Sequence, residues 1–176
     1  MSSQSEILQQ AVEVLRRGEA LTMDSVAREV GLTKPGVMHY FATKEALTVA
    51  VVDYIVDGWE ADLRAREHGD GTTLGKLRSY VDYALTADFD ASDLALLSDI
   101  RLRERLCARW VERLEPCLGW DIEATTSRRA SLRAARLLAD GAWMNSALGI
   151  ATAYDDERED LHAIALGLLN QGGTGQ

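Results

Sequence analysis

Residues 21–47 read LTMDSVAREVGLTKPGVMHYFATKEAL, and their spacing decides the fold of the amino-terminal part of this 176-residue chain. Thr22 belongs to the residue types preferred at a helix N-cap. The apolar residues that follow recur at helical spacing, at Met23, Val26, Ala27 and Val30. The pattern therefore predicts a short amphipathic helix that begins after Thr22 and ends at Gly31.

A second short helix is predicted directly after Gly31. Thr33 can cap it, and Pro35 falls in its first turn, where a missing backbone N–H costs nothing. Val37 and Phe41 lie four residues apart and would bury against the first helix, which leaves the polar face open to a ligand. Two short helices joined this closely are typical of a helix-turn-helix.

A third, longer helix is predicted after Thr43, and it would connect the helix-turn-helix to the rest of the chain. The backbone N–H groups at the start of a helix attract phosphate, and the neighbouring cation of Lys44 would strengthen that attraction. Taken alone, Lys44 is equally consistent with a solvated surface residue.

With these three helices in place, residues 7–58 resemble the DNA-binding domain of TetR-family transcriptional regulators. The resemblance is carried by Leu21-Thr22, Val26-Ala27, Val30-Gly31, Tyr40-Phe41 and Lys44-Glu45-Ala46-Leu47. It implies that Thr22 contacts a phosphate, that Tyr40 and Lys44 bind phosphates on either side of the groove, and that a recognition helix reads the bases. The residues implied to face the major groove are Thr33, Lys34, Pro35, Gly36 and His39.

Three side chains of the recognition helix decide how it could read DNA. Most family members have an aromatic residue, usually tyrosine, where this chain has Met38. A thioether cannot donate a hydrogen bond to phosphate, so one usual contact is in doubt, and the favoured interpretation of Met38 is a side chain that fills the core. Lys34 alone could donate charge-assisted bonds to guanine O6 and N7, whereas His39 could reach a base or a phosphate.

The net charge of −9 is unevenly distributed along the chain. Residues 1–45 contain five basic and six acidic side chains, whereas residues 46–176 contain 14 and 22. DNA binding needs only a local basic footprint, and an acidic remainder would suppress non-specific adhesion. The charge therefore does not argue against a DNA-binding function.

Helical periodicity continues through the rest of the chain, without the alternation typical of strands. We expect an all-α fold of about nine helices, with a helix-turn-helix domain at residues 1–48, a connecting helix that continues to about residue 66, and a ligand-binding and dimerisation domain at residues 49–176. No apolar run is long enough to cross a bilayer, and no signal peptide is visible, so we expect a cytoplasmic protein without a membrane partner. If Cys107 and Cys117 share one helix, they are too far apart to form a disulfide bond.

The last two long helices, predicted at about residues 126–151 and 155–171, have faces rich in small and apolar residues. Such faces can form core within one chain, but the resemblance implies a homodimer seam between two subunits. The predicted interface residues are Ala130, Ala134, Leu138, Leu161, Ile164, Ala165 and Leu168. A twofold dimer would present its recognition helices to half-sites one DNA turn apart, about 34–36 Å, so we expect a near-palindromic operator in double-stranded DNA.

The resemblance also implies a pocket for a small-molecule effector in the second domain. The candidate lining residues are Trp59, Tyr80, Tyr83, Phe89, Leu97, Trp110, Asp140, Trp143, Met144 and Asn145. Each aromatic residue among them is also consistent with ordinary packing. Asp140 interrupts an apolar helix, so it either pairs with Arg136 one turn earlier, faces solvent, or binds a cationic ligand.

These observations predict a bacterial transcriptional repressor that leaves its operator when an effector binds. An activator of the same fold and a helical protein-interaction module that does not bind DNA are the alternatives. We expect neither catalysis nor a cofactor or metal, because His39, His68 and His162 lie far apart in the sequence and lack the spacing of a metal or nucleophile site.

Overall fold

The computed structural model describes residues 3–67, 71–97, 99–118, 124–150 and 157–171. Within these ranges the chain forms α-helices and one 3-10 helix, and no strand, which confirms the predicted all-α class. The helices are α1 (Gln4–Arg16), α2 (Met23–Val30), α3 (Lys34–Tyr40), α4 (Lys44–Ala65), α5 (Thr73–Thr86), the 3-10 helix (Ala91–Leu97), α6 (Arg103–Leu118), α7 (Thr126–Ala147) and α8 (Arg158–Asn170). None of the helices in the described ranges combines the length and apolar character needed to cross a membrane.

The chain folds into two compact units. The first comprises Met1–Gly58 and Asp90–Val111, and the second comprises Trp59–Phe89 and Glu112–Gln176. These units differ from the expected division at residue 48, because the chain returns to the first unit after α5 and the 3-10 helix packs on α1. Helical periodicity alone could not reveal this return.

The first unit is built around the amphipathic helix α1. Ser3 caps α1 in a capping box with Glu6, and Ile7, Ala11 and Val14 are completely buried. α1 packs on α2, and α2 packs on α3. The helix-turn-helix therefore rests on an apolar core that fixes the orientation of α3 within this unit.

The second unit consists mainly of α5, α7 and α8, which pack against one another. Ala135 and Ala139 of α7 are completely buried, and their small side chains allow close approach of the neighbouring helices. The predicted ends of the last two helices fall partly on residues 151–156, which lie outside the described residues. Both cysteines are free and lie on α6, as expected for a pair that cannot bridge.

Candidate nucleic-acid interface

Both ends of α2 are capped, and the cap at its C-terminal end forms the turn that leads to α3. Thr22 Oγ1 accepts a hydrogen bond from the Ser25 N–H at 3.0 Å, and Ser25 Oγ accepts one from the Thr22 N–H at 2.9 Å. At the other end, Gly31 has φ 68° and ψ 27°, a left-handed conformation that costs a residue with a Cβ about 1–2 kcal/mol. The Leu32 N–H then donates to the Ala27 carbonyl at 2.9 Å, which closes the turn before α3.

α3 buries one face and exposes the other. Thr33 Oγ1 accepts from the Gly36 N–H at 3.2 Å and caps the helix as predicted, and Val37 and Phe41 are buried as predicted. Among the residues implied to contact DNA from this helix, Gly36 is half-buried and the others are exposed: Thr33, Lys34, Pro35, His39 and Tyr40. These five side chains are therefore accessible to a ligand.

Met38 is the exception to the predicted pattern, and the favoured interpretation of it as a core residue is wrong. Its exposed fraction is 44%, because Val37 and Phe41 already occupy the buried face and Met38 lies about 100° further around the helix. Met38 follows Lys34 by four residues, so the two side chains are neighbours on the exposed surface.

Both lysines implied to contact DNA have acidic partners in this structure. Lys34 Nζ lies 2.9 Å from Asp24 Oδ2, and Lys44 Nζ lies 3.0 Å from Asp99 Oδ2. The hydrogen bond from Lys44 is the largest of the influences that lower the pKa of Asp99 below its usual value. Half of each lysine side chain remains exposed, so a phosphate can still reach the ammonium groups.

The start of α4 is capped in the way the sequence predicts. Thr43 Oγ1 accepts a hydrogen bond from the Ala46 N–H at 3.0 Å, and Lys44 is the first residue of the helix. Glu45, the next residue, forms an ion pair with Arg105 of α6 within the first unit. The first turn of α4 therefore places an exposed ammonium group close to backbone N–H groups that carry partial positive charge.

The amino-terminal and carboxyl-terminal parts of this chain each match a known protein family. Residues 7–51 match bacterial regulatory proteins of the tetR family, and residues 75–170, more than half of the chain, match the tetracyclin repressor-like C-terminal domain. This chain belongs to the TetR family. It is therefore a transcriptional regulator with an amino-terminal helix-turn-helix that binds DNA, as the resemblance implied.

A transcriptional regulator is also among the individual proteins that this chain resembles. The HTH-type transcriptional regulator RutR of Escherichia coli K12 is 32% identical over 68 residues, which cover 39% of this chain and 32% of RutR. RutR of Shigella flexneri and of Escherichia coli O157:H7 show the same identity and coverage. The match thus spans about a third of the length of these relatives.

In this TetR-family regulator, four aromatic residues among the pocket candidates pack against one another. Trp59, Tyr83, Phe89 and Trp143 are all buried, with ring centroids 5.1–6.1 Å apart. They form the aromatic core of the second unit, which agrees with the alternative of ordinary packing. Two other candidate residues, Leu97 and Trp110, belong to the first unit.

Asp140 has two partners in the second unit. The Tyr80 hydroxyl donates to it in a short hydrogen bond, and Arg136 Nε donates to its Oδ1 at 2.8 Å. The Arg136 guanidinium also stacks over the Tyr80 ring, 4.3 Å from the centroid. Burial, followed by the charge of Asp140, raises the pKa of Tyr80 well above its usual value. The pairing with Arg136 was one of the three predicted alternatives, whereas Tyr80 was not foreseen as a partner.

A cavity of about 260 Å³ lies among α5, α7 and α8 in the second unit. Of the predicted pocket residues only Asn145 lines it, while Met144 is exposed on α7. The other lining residues are Ala84, Leu85, Leu137, Leu138, Gly141, Ala142, Ser146, Arg158 and Leu161. The sequence could have indicated part of this lining, because Leu137, Gly141 and Asn145 are spaced by four residues and so lie on one face of α7.

The predicted dimer residues divide into three groups by exposure. Ala130, Ala134 and Ile164 are exposed, and Leu138, Leu161 and Leu168 are half-buried. Ala165 differs from the prediction, because it is completely buried within the subunit and offers no surface to a partner. Other apolar residues are also exposed on this side of the chain, namely Leu137 and Met144 of α7 and Leu148, which follows its last residue.

Proposed function

We propose that this TetR-family protein is a repressor that binds a near-palindromic operator as a homodimer and dissociates when a small molecule binds its second unit. The observation that carries the proposal is the exposed face of α3, held by caps on both sides and backed by the buried Val37 and Phe41. A protein that regulates by binding needs neither catalysis nor a cofactor, and its site of action is genomic DNA in the cytoplasm.

Each residue that the resemblance assigns to DNA has a distinct part in binding it, and all of them except the half-buried Thr22 and Gly36 are exposed. Lys34 donates to guanine O6 and N7 in the major groove, and His39 donates to a neighbouring base or phosphate. Tyr40, Thr22 and Lys44 contact phosphates and set the position of α3 in the groove. Thr33, Pro35 and Gly36 bring the backbone of α3 close to the base edges.

Dimerisation is supported by an apolar stripe along α7. Its members follow one another at alternate spacings of four and three residues, at Ala130, Ala134, Leu137, Gly141, Met144 and Leu148. This spacing keeps side chains on one face of a helix that packs along a partner helix. Leu137 is 69% exposed and Ile164 of α8 is 56% exposed, and exposed apolar surfaces of this kind mark protein interfaces.

The effector site we propose is the cavity among α5, α7 and α8. Its lining is mostly apolar, with polar groups supplied by Asn145, Ser146 and Arg158. Binding sites for small molecules commonly measure about 300–1,000 Å³, so this cavity fits a compact effector. Release of DNA requires that the effector bind the DNA-free conformation more tightly than the DNA-bound one.

Selection of binding sites from a random duplex pool with the full-length protein tests this function. We expect an enriched near-palindrome whose binding weakens steeply with added salt. Lys34→Ala should relax the preference at one position of each half-site, whereas Lys44→Ala should weaken all duplexes alike. If no duplex is enriched and none binds at low salt, the proposed function fails and the helical protein-interaction module is favoured in its place.

A further inference from the structure

One feature of α3 is not explained by phosphate binding or by hydrogen bonds to bases. Met38 exposes 44% of its surface on the same helix that buries Val37 completely. It follows Lys34 by one helical turn, so it lies on the same face of α3 as the lysine that we assign to guanine. A base pair contacted by Met38 would therefore adjoin the one contacted by Lys34.

We infer that Met38 recognises the 5-methyl group of a thymine in the major groove, next to the base pair that Lys34 reads. The inference deepens the proposed function and rests on it.

The chemistry of the groove leaves one partner for this side chain. A thioether donates no hydrogen bond and accepts only weakly, so it gains little from a phosphate or from the polar edges of guanine, adenine and cytosine. Covering those edges without a hydrogen bond would cost their solvation. The thymine methyl is the apolar group of the major groove, and its contact with an unbranched, polarizable side chain removes apolar surface from water on both sides.

The test uses the operator recovered by selection with the full-length protein. Each thymine is replaced in turn by deoxyuridine, which removes the 5-methyl group and changes no hydrogen-bonding atom. We expect one thymine per half-site at which this replacement weakens binding about fourfold, the factor that corresponds to one buried methylene-sized group. Replacement in both half-sites should weaken binding about fifteenfold.

Two substitutions assign that sensitivity to Met38. Met38→Ala should bind the thymine and deoxyuridine duplexes equally, whereas Met38→Leu, the matched control that retains an apolar side chain, should keep most of the difference. Lys34→Ala should leave the sensitivity in place, because it removes a contact to a different base. Circular dichroism and thermal melting of each variant check the fold, which an exposed position should not disturb.

The outcomes separate the two proposals. Enrichment of an operator without any thymine that responds to deoxyuridine overturns the role of Met38 and leaves the DNA-binding function intact. An unchanged sensitivity in Met38→Ala overturns it as well. If the wild-type protein binds no duplex, the proposed function itself fails. If Met38→Ala does not fold, the thymine scan of the wild type and of Met38→Leu still decides the matter.

Discussion

Replacement of Asp140 by alanine should destabilise the protein by about 3 kcal/mol. The buried Tyr80 hydroxyl would lose its acceptor, and an unsatisfied buried hydroxyl costs about 1–3 kcal/mol. Arg136, whose side chain is only 16% exposed, would lose its carboxylate partner. Removal of one member of a fully buried ion pair costs about 3–5 kcal/mol, but Asp140 is 32% exposed, so we expect about 1–2 kcal/mol from this source.

Urea and thermal unfolding followed by circular dichroism measure this change. For a chain of this size the loss corresponds to a decrease in melting temperature of roughly 6–12 °C. Asp140→Asn should cost less, since its amide oxygen can still accept from Tyr80. Arg133→Ala, an exposed position on the same helix, is the matched control and should change stability by about 0.5 kcal/mol or less.

The pairwise nature of the loss can be checked with a double mutant. Tyr80→Phe alone should cost about 1–2 kcal/mol, but in the Asp140→Ala background it should cost much less, because the hydrogen bond is already gone. The reasoning would be refuted if Asp140→Ala were no less stable than the Arg133→Ala control, or if the two substitutions were simply additive.

Three further predictions concern the dimer, the alkaline range and the turn before α3. Leu148→Asp should shift the protein from dimer to monomer in analytical ultracentrifugation, because it places a charge on the exposed stripe without altering the cavity lining; an unchanged dimer would place the seam elsewhere. The raised pKa of Tyr80 means that the unfolded chain loses this proton first, so stability should fall as pH rises above the usual tyrosine value of 10.0, and Tyr80→Phe should reduce the slope of unfolding free energy against pH. Gly31→Ala should cost about 1 kcal/mol in urea unfolding, since its φ is 68°, whereas Gly58→Ala, in open space on a helix, should stabilise by about 0.5–1 kcal/mol; equal effects would contradict the conformational argument.

Structural features that depend on residues only a few positions apart could be predicted from the sequence. The caps at Thr22, Thr33 and Thr43 and the helix end at Gly31 depend on groups three or four positions away, and all four have the predicted place. Helical periodicity that buries Val37 places Met38 about 100° further around the helix, on the exposed face, whereas the apolar character of Met38 alone favours the core.

Features that depend on distant parts of the chain could not be predicted. Tyr80 and Asp140 are sixty positions apart, so no local pattern links the hydroxyl to the carboxylate. For the aromatic residues around Trp59 the sequence left a pocket and ordinary packing open, because composition does not distinguish rings that pack together from rings that line a space. Similarly, the spacing of the apolar residues in α8 places Ala165 on an apolar face, but it does not show whether that face is buried within the subunit or against a partner.

The ion pairs of Lys34 and Lys44 have a consequence for how the protein would respond to its ionic surroundings. When a DNA oxygen takes over either ammonium group, the carboxylate left behind in Asp24 or Asp99 attracts a sodium or potassium ion from solution. If the lysines contact DNA as we propose, the freed carboxylates would take up part of the cations that the DNA releases, so fewer than one cation would be released per lysine. Occupancy of the operator would then vary less with the potassium content of the cell than a count of cationic contacts suggests.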